Sequence, residues 1–250
     1  MEAYTDFANV YDTFMDETPY EEWADFLKEI LTENGIKDGL VLDLGCGTGT
    51  LTEILAGYGY DMIGVDNSAQ MLAVAMEKRE KSALDILYLL QDMREFELYG
   101  TVKAVISVCD SLNYLLEEED LVQTFRLVNN YLDPKGIFIF DFNTVYKYQE
   151  VIGDTTIAEN REDCSFIWEN FYHEEEEINE YDLTIFVKEK EDYFQRFHEN
   201  HYQRGYRLSQ IRQALETAGM EFVKAMDADT HSEITECSER IYCIAREKGK

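Results

Sequence analysis

Short apolar runs recur along the first 145 residues at the spacing of alternating strands and helices. The runs cover residues 40–44, 61–65, 85–90, 103–109 and 136–142. Each run is almost continuously hydrophobic, which is typical of a parallel strand covered on both faces. Amphipathic stretches between them predict helices at 50–56, 68–78 and 117–131. The alternation predicts an α/β fold with a doubly wound, mostly parallel sheet.

The pattern changes to a period of two between about residues 155 and 204. Aromatic and polar residues alternate there, as in 165–172 and 182–187. This alternation is typical of antiparallel strands with one exposed face. A helical pattern at 209–218 and two apolar runs near 220–225 and 240–245 then resume the α/β pattern. We therefore expect one domain made of residues 1–150 and 205–250, with residues 151–204 inserted as an antiparallel β lid.

Two amphipathic patterns rich in aromatic residues precede the first strand. Their apolar positions are Tyr4, Phe7, Ala8, Tyr11 and Phe14, and then Trp23, Phe26, Leu27, Ile30 and Leu31. The helical spacing predicts that most of these side chains pack in a core. Tyr11 and Trp23 are the two that we expect beside a ligand.

Charge and cysteine usage narrow the class of partner. The chain has 52 acidic and 22 basic residues, a formal net charge of −30 at pH 7. This charge repels a phosphate backbone, so a nucleic-acid substrate is disfavoured. The five cysteines lack C-x-x-C spacing, which favours reduced thiols over disulfides or a bound metal. Without a signal-like start or a membrane-length apolar run, we expect a cytoplasmic protein with no membrane partner.

The first strand runs into the most informative motif of the chain, DLGCGTG at residues 43–49. Glycine at alternate positions lets the backbone adopt positive φ and approach a ligand closely. The helix that follows directs its free N–H groups toward the same place. A dinucleotide fingerprint would need its third glycine at position 50, whereas this chain has Gly49. A nicotinamide cofactor is therefore disfavoured.

Polar residues also follow the next three strands. Asp66 closes the second strand, where a carboxylate can accept hydrogen bonds from both ribose hydroxyls. After the third strand, Asp92 can accept from an adenine amino group while Met93 packs on the ring. The fourth strand leads into the polar segment 109–114. Because the carboxyl ends of parallel strands share one edge, these groups predict a site for an adenosine cofactor.

The acid that directly precedes the glycine-rich loop makes this motif resemble motif I of the class I S-adenosylmethionine (SAM) methyltransferases. The resemblance covers nearly the whole chain and implies a Rossmann-like fold, SAM as cofactor and S-adenosylhomocysteine as product. It implies that the loop lies beside the methionine moiety, Asp43 beside its ammonium group and Asp66 at the ribose. The expected cofactor-binding residues are Tyr11, Trp23, Asp43, Gly45, Cys46, Gly47, Gly49, Asp66, Asn67, Met71, Asp92, Met93, Cys109 and Asp110.

Within this family, the aromatic opening and the β-rich insertion are most similar to small-molecule methyltransferases, including glycine and sugar N-methyltransferases. We expect Asn113, Tyr114 and Arg204 beside the acceptor. Methyl transfer depends mainly on alignment of the reacting atoms. A protonated amine must also lose a proton, and Tyr114 and His201 are the candidate catalytic residues for that step.

The inserted segment carries 16 acidic and five basic residues between positions 150 and 205, which favours a cationic or amine acceptor. Arg161, Arg196 and Arg204 leave open an acceptor with a carboxylate or phosphate. His198 and His201 would face opposite sides of a strand, so a metal site is disfavoured. The alternative function is a SAM-binding protein methyltransferase or partner-docking module that uses the aromatic lid as its interface. The lid also offers a surface for a homodimer.

Overall fold

A computed structural model describes residues 7–190 and 193–250. The helices are α1 Ala8–Phe14, α2 Tyr20–Glu33, α3 Thr50–Gly57, α4 Ala69–Ser82, α5 Glu118–Tyr131 and α6 Leu208–Thr217. A 3₁₀ turn covers Ser111–Tyr114 and a π-helical segment covers Lys147–Ile152. Tyr4, from the first aromatic pattern, lies outside the described residues.

The strands form two sheets. The bounds are β1 Gly39–Leu44, β2 Tyr60–Asp66, β3 Ile86–Leu90, β4 Val102–Ser107, β5 Leu132–Asn143, β6 Thr156–Asn160, β7 Cys164–His173, β8 Ile178–Lys190, β9 Tyr193–Arg204, β10 Glu221–Asp227 and β11 Arg240–Arg246. The larger sheet has the order β10-β11-β5-β4-β1-β2-β3, and the smaller one the order β6-β7-β8-β9.

The larger sheet confirms the predicted doubly wound α/β fold. Strands β1 to β5 pair in parallel, while β11 runs antiparallel to β5 and β10 antiparallel to β11. From β1 the chain proceeds to β2 and β3 on one side, and it later returns through β4 and β5 on the other. The order therefore reverses between β1 and β4, and in such sheets ligands bind at the carboxyl ends beside this point.

Helices cover the larger sheet on both faces. On one face Leu27 of α2 and Leu55 of α3 share a buried core with Val41 of β1. On the other, Phe125 of α5 and Ile211 of α6 pack in a core with the strands. Burial on both faces explains why the parallel strands are continuous apolar runs.

The fifth strand begins earlier than predicted. Leu132 already pairs with Val102, and the pairing is irregular before Ile137 joins Ala104. Lys135, between Pro134 and Gly136, has a φ of +67°. These turn-forming residues conceal the start of the strand in the sequence.

The smaller sheet confirms the antiparallel strands predicted between about residues 155 and 204. Each neighbouring pair of its strands is antiparallel. One face packs against α1, with Phe7 and Val10 in a cluster that includes Phe166 and Ile185. Helix α1 therefore lies against the smaller sheet, and its Asp12 side chain also pairs with Lys78 of α4, a helix of the larger sheet.

Candidate functional site

A cavity lies at the carboxyl ends of the parallel strands, beside the point where the strand order reverses. The residues expected at a cofactor or acceptor that line it are Tyr11, Asp43, Gly45, Cys46, Gly47, Asp66, Asn67, Met71, Met93, Cys109 and Tyr114. The loop after β1, the ends of β2 and β3 and the segment after β4 thus meet at one cavity, as the sequence predicts. Tyr20, Thr48, Gln91 and Ser111 also line it and are not in the predicted set.

The three glycines of the loop all have positive φ, but they differ in what surrounds them. Their φ values are +83° at Gly45, +54° at Gly47 and +74° at Gly49. A Cβ on Gly45 would lie 2.7 Å from the Ser111 side chain, and one on Gly49 would meet the Tyr88 hydroxyl. A Cβ on Gly47 would have no atom within 4 Å. Close packing therefore requires two of the glycines, whereas Gly47 leaves free space beside the cavity for a ligand.

Asp66 connects the glycine-rich loop to the start of α4. One carboxylate oxygen accepts from Gly47 N–H at 2.8 Å, and the other accepts from Ser68 N–H at 2.8 Å. Ser68 in turn caps α4, as predicted, by accepting from Met71 N–H at 3.2 Å. Burial raises the pKa of Asp66, while its backbone hydrogen bonds oppose that rise. Each oxygen retains a second lone pair for a ligand donor at the cavity wall.

Asp43 is a buried carboxylate at the end of β1. It is 3% exposed and accepts a hydrogen bond from the Thr52 hydroxyl at 2.6 Å. Desolvation raises its pKa to about 7, and the nearby Asp66 charge adds to the rise. A positively charged group brought to this place would favour the ionised form. This corner of the cavity is therefore suited to a cation.

Helix α1 is joined to the glycine-rich loop by side chains that the sequence does not reveal. Asp12 accepts from the Thr48 hydroxyl at 2.6 Å and pairs with Lys78 of α4 at 2.6 Å. These contacts hold the adjacent Tyr11 at the cavity, where its hydroxyl lies 4.0 Å from the Cys109 sulfur.

Trp23 does not line the cavity. Its ring packs edge-on against Tyr20, with centroids 5.5 Å apart, and Arg240 lies 4.8 Å above it. Tyr20, at the first position of α2, lines the cavity instead. The helical spacing finds the correct face of the helix but not which aromatic residue of that face reaches the cavity.

A strained turn follows β4. Cys109 and Asp110 have φ values of +62° and +52°. The Asp141 carboxylate accepts from both of their N–H groups, at 3.1 and 2.8 Å. Burial raises the pKa of Asp141 to about 6, and Arg240, 3.6 Å away, opposes that rise. These bonds offset the strain of a non-glycine left-handed turn and hold Cys109 at the cavity.

Asp110 does not line the cavity. Its carboxylate accepts from the Gln203 amide at 2.5 Å, and the Gln203 oxygen accepts from the Tyr148 hydroxyl at 2.8 Å. The side chain of Asp110 thus joins the segment after β4 to the smaller sheet. This contact between distant parts of the chain has no local signal in the sequence.

Asp92 also lies outside the cavity lining. It accepts from the guanidinium of Arg94 at 2.6 and 2.9 Å. That partner lowers the pKa of Asp92. The neighbouring Gln91 and Met93 line the cavity, so the segment after β3 reaches it although the Asp92 carboxylate faces Arg94.

Asn113 and Arg204, both expected at the acceptor, hold the 3₁₀ turn in place. The buried Asn113 amide donates to the carbonyls of Asn143 at 2.9 Å and Arg204 at 2.7 Å. The Arg204 guanidinium donates to the Leu116 carbonyl at 2.9 Å. These bonds fix the position of Tyr114, at the end of the turn, which does line the cavity.

Tyr114 continues into a buried hydrogen-bonded chain on the smaller sheet. Its hydroxyl lies 3.0 Å from His201 Nδ1, and His201 Nε2 lies 3.0 Å from a carboxylate oxygen of Glu199. The other Glu199 oxygen accepts from Phe7 N–H at 3.1 Å. The two predicted catalytic residues are thus in contact. Alternation along the strand puts residues i and i+2 on one face, and this signal could have identified Glu199.

His198 faces away from this chain. Its side chain is 41% exposed, whereas that of His201 is 4% exposed. Residues 7–190 and 193–250 contain no group of three or more His, Cys, Asp or Glu side chains that could hold a metal. Within the same ranges, no helix combines the length and apolar character needed to cross a bilayer.

Comparisons with known proteins agree with this geometry. Residues 41–136 match the family model described as a methyltransferase domain. The chain is 37% identical over 244 residues to "Putative methyltransferase YqeM" of Bacillus subtilis, covering 97% of this chain and 96% of that protein. The fold is similar to the crystal structure of a S-adenosylmethionine-dependent methyltransferase from Clostridium acetobutylicum, with a TM-score of 0.88 and 29% identity over 99% of this chain and 100% of that one.

A shorter match concerns a dTDP-3-amino-3,4,6-trideoxy-alpha-D-glucopyranose N,N-dimethyltransferase of Streptomyces venezuelae. It is 28% identical over 138 residues, which are 54% of this chain and 56% of that protein.

Proposed function

The chain belongs to the class I S-adenosylmethionine-dependent methyltransferases, and from this premise we propose that it methylates an amine of a small molecule. SAM is the cofactor of this enzyme, and S-adenosylhomocysteine is the product. When bound, SAM supplies an electrophilic methyl group on a sulfonium cation. The acceptor, the residues that hold each part of the cofactor and the use of the smaller sheet as a lid are our proposals.

The residues at the cavity fit SAM. We assign the ribose hydroxyls to Asp66, whose carboxylate has lone pairs left for two donors. We assign the ammonium group to Asp43, where desolvation makes a neighbouring cation favourable. The open space beside Gly47 and the positive φ values of the loop support a close approach of main chain to ligand. We assign the adenine to the region of Met93 and Asn67.

The charge of the cavity lining is the observation that carries the amine proposal. Among the described residues that line it, the carboxylates Asp43 and Asp66 occur without any Lys or Arg. A carboxylate or phosphate acceptor would therefore have no cationic partner in the lining. Tyr11, Tyr20 and Tyr114 supply aromatic faces, which attract cations and ammonium groups.

The arginines that could have favoured an anionic acceptor have other partners. Arg161 pairs with Asp16 at 2.9 Å, Arg196 donates to the Thr184 hydroxyl at 3.3 Å, and Arg204 donates to a backbone carbonyl. The match to a relative named for N,N-dimethylation of an amino sugar also supports an amine acceptor. It favours the small-molecule interpretation over a partner-docking module.

We propose that residues 151–204 close the acceptor side of the cavity as a lid. The support is that α1 packs on the smaller sheet and also supplies Tyr11 to the cavity. Alignment of the reacting atoms within such a closed site can lower the barrier of a transfer reaction by up to about 7–11 kcal/mol. A homodimer through this lid and a cytoplasmic location stay predictions.

Ligand binding followed by turnover tests the proposal. SAM and S-adenosylhomocysteine should raise the melting temperature, whereas NAD should not. At a ligand concentration of 100 times Kd, the added free energy of unfolding is about 2.7 kcal/mol. With SAM present, release of S-adenosylhomocysteine is then measured across matched sets of amines, phenols and carboxylates. We expect turnover of amines. Turnover confined to phenols or carboxylates would contradict the amine proposal.

A further inference from the structure

We propose that Glu199 is the positioning residue of a proton relay that leads from the cavity through Tyr114 to His201. The inference rests on the proposed function, because it supplies the proton acceptor that an ammonium substrate requires. Tyr114 lines the cavity, whereas His201 and Glu199 are 5% and 3% exposed. Only the tyrosine hydroxyl of this chain of groups therefore meets the acceptor.

The hydrogen-bond partners assign the tautomer of His201. An ionised carboxylate only accepts hydrogen bonds, and Glu199 has the Phe7 N–H at one oxygen and His201 Nε2 at the other. The proton of the neutral imidazole is therefore on Nε2. Nδ1 is then an acceptor, and the Tyr114 hydroxyl, 3.0 Å away, donates to it. A tyrosine that donates to imidazole can receive a proton from the cavity as it passes its own inward.

The relay moves one proton from the acceptor ammonium to His201. The acceptor ammonium gives one proton to Tyr114 Oη while Tyr114 gives its own to His201 Nδ1. Tyr114 ends as it began, the amine gains a free lone pair for methylation, and His201 becomes an imidazolium beside the Glu199 carboxylate. The proton returns to solvent after the methylated product leaves. A buried carboxylate that orients and stabilises an imidazolium is the arrangement used in hydrolase triads.

The groups around His201 come from several elements. Tyr114 faces it from the 3₁₀ turn, Glu199 from its own strand and Tyr181 from the opposite position of β8. The Tyr181 hydroxyl is directed to Gln203. Of these groups, Glu199 is the one whose carboxyl group contacts the ring.

Glu199 also connects the relay to α1. Its carboxylate accepts a hydrogen bond from Phe7 N–H, and Phe7 lies immediately before the helix that carries Tyr11 to the cavity. The same carboxylate therefore contacts both the imidazole and the segment that helps to close the site. The position of Glu199 in the relay therefore depends on the packing of this helix against the smaller sheet.

The test uses the whole 250-residue chain with ¹⁵N-labelled histidine. The chain has four histidines, so the His201 signal can be assigned by substitution of the other three, His173, His198 and His231. We expect the neutral Nε2–H tautomer at the pH of the assay. The Nδ1–H tautomer, or an imidazolium at that pH, would overturn the relay, and this measurement needs no active-site variant.

Glu199→Gln tests the relay kinetically, with any amine that the wild-type protein methylates. An amide can donate to Nε2, which favours the Nδ1–H tautomer and removes the acceptor for Tyr114. We expect kcat to fall about 100-fold or more, with the KM of the amine and the Kd of S-adenosylhomocysteine within about twofold of wild type.

The outer face of the same sheet offers a matched control. His198 and Asp182 form an exposed pair at 2.6 Å, and Asp182→Asn should leave kcat unchanged. An unchanged kcat in Glu199→Gln would overturn the relay while leaving the proposed function intact. Failure of the wild-type protein to methylate any amine would overturn both, and this outcome is seen before any variant is made.

Discussion

The two ends of the cavity are built from different kinds of groups. At the end that we propose for the cofactor, the main chain of the glycine-rich loop and one carboxylate at each of two neighbouring strand ends form the wall. At the end that we propose for the acceptor, Tyr11, Tyr20 and Tyr114 converge from two helices and a 3₁₀ turn. Side chains from the smaller sheet then support that end from behind.

The two ends also differ in how far apart in the sequence their contacting residues lie. Gly47 and Asp66 are joined directly by a hydrogen bond, and both are positioned by a parallel pair of strands. Tyr114 and His201 are 87 residues apart in the chain and meet where the 3₁₀ turn contacts the smaller sheet. The first end is suited to a common cofactor, whereas the second can differ between relatives without changing the fold.

The largest expected effect is at the acceptor end. Tyr114→Phe keeps the ring but removes the hydroxyl that faces His201, so kcat should fall about 100-fold. The Kd of S-adenosylhomocysteine, measured by calorimetry, should change less than about threefold. Tyr202→Phe is the control, since that exposed hydroxyl donates to Glu180 on the outer face. Equal losses of kcat in the two variants would contradict the division between the ends.

The next largest effect is expected in the glycine-rich loop. Gly45→Ala puts a Cβ 2.7 Å from Ser111 at a residue whose φ is +83°. Strain and the clash together should weaken S-adenosylhomocysteine binding by about 2–3 kcal/mol, or roughly 30-fold to 150-fold. Gly57→Ala is the control, because its Cβ meets nothing within 4 Å. Calorimetry that gave the same Kd for both variants would refute the packing argument.

Asp66→Ala should have a slightly smaller effect. It removes the proposed charge-assisted ribose contact and the acceptor for Gly47 N–H, so affinity for the cofactor should fall by about 1–3 kcal/mol. Asp61→Asn, at the exposed amino end of the same strand, should bind normally. Unchanged calorimetric binding in Asp66→Ala would disprove the ribose assignment.

The smallest expected effect is a dependence on pH at Asp43, whose pKa is raised to about 7. Between about pH 4 and pH 7, Asp43 keeps its proton in the folded protein but is ionised in the unfolded chain. The free energy of unfolding should therefore fall as pH rises through this range. Binding of a cation favours the ionised carboxylate, so SAM affinity should rise up to about tenfold from about pH 6 to pH 8.

Comparison of wild type with Asp43→Asn isolates this contribution. The variant should lose most of the pH dependence of SAM binding when calorimetry is run at both ends of that pH range. The same slope in both proteins would show that another group is responsible.

Most of the fold can be predicted because its signals are local. The prediction of a strand at 40–44 is confirmed by β1, and Ser68 caps α4 as its sequence position predicts. Continuous apolar runs and period-two alternation follow directly from burial on two faces or one. The start of β5 escapes prediction because Pro134 and Gly136 interrupt the pattern there.

The cavity can be predicted in part for the same reason. The loop and Asp66 act through backbone geometry that the motif itself encodes. The pairing of Asp12 with Lys78, and of Asp141 with the turn after β4, depends on contacts between distant segments. The contact of Asp92 with Arg94, two residues away, is equally hidden in the motif, and the role of Asp92 at the adenine stays a prediction.

A crystal structure with bound S-adenosylhomocysteine would locate both ends of the cavity in one experiment. We expect the ribose hydroxyls within hydrogen-bond distance of Asp66, the ammonium group beside Asp43 and the sulfur toward Tyr114 and Cys109. A ligand whose ribose lies away from Asp66, or whose sulfur points away from Tyr114, would contradict the assignment of the two ends.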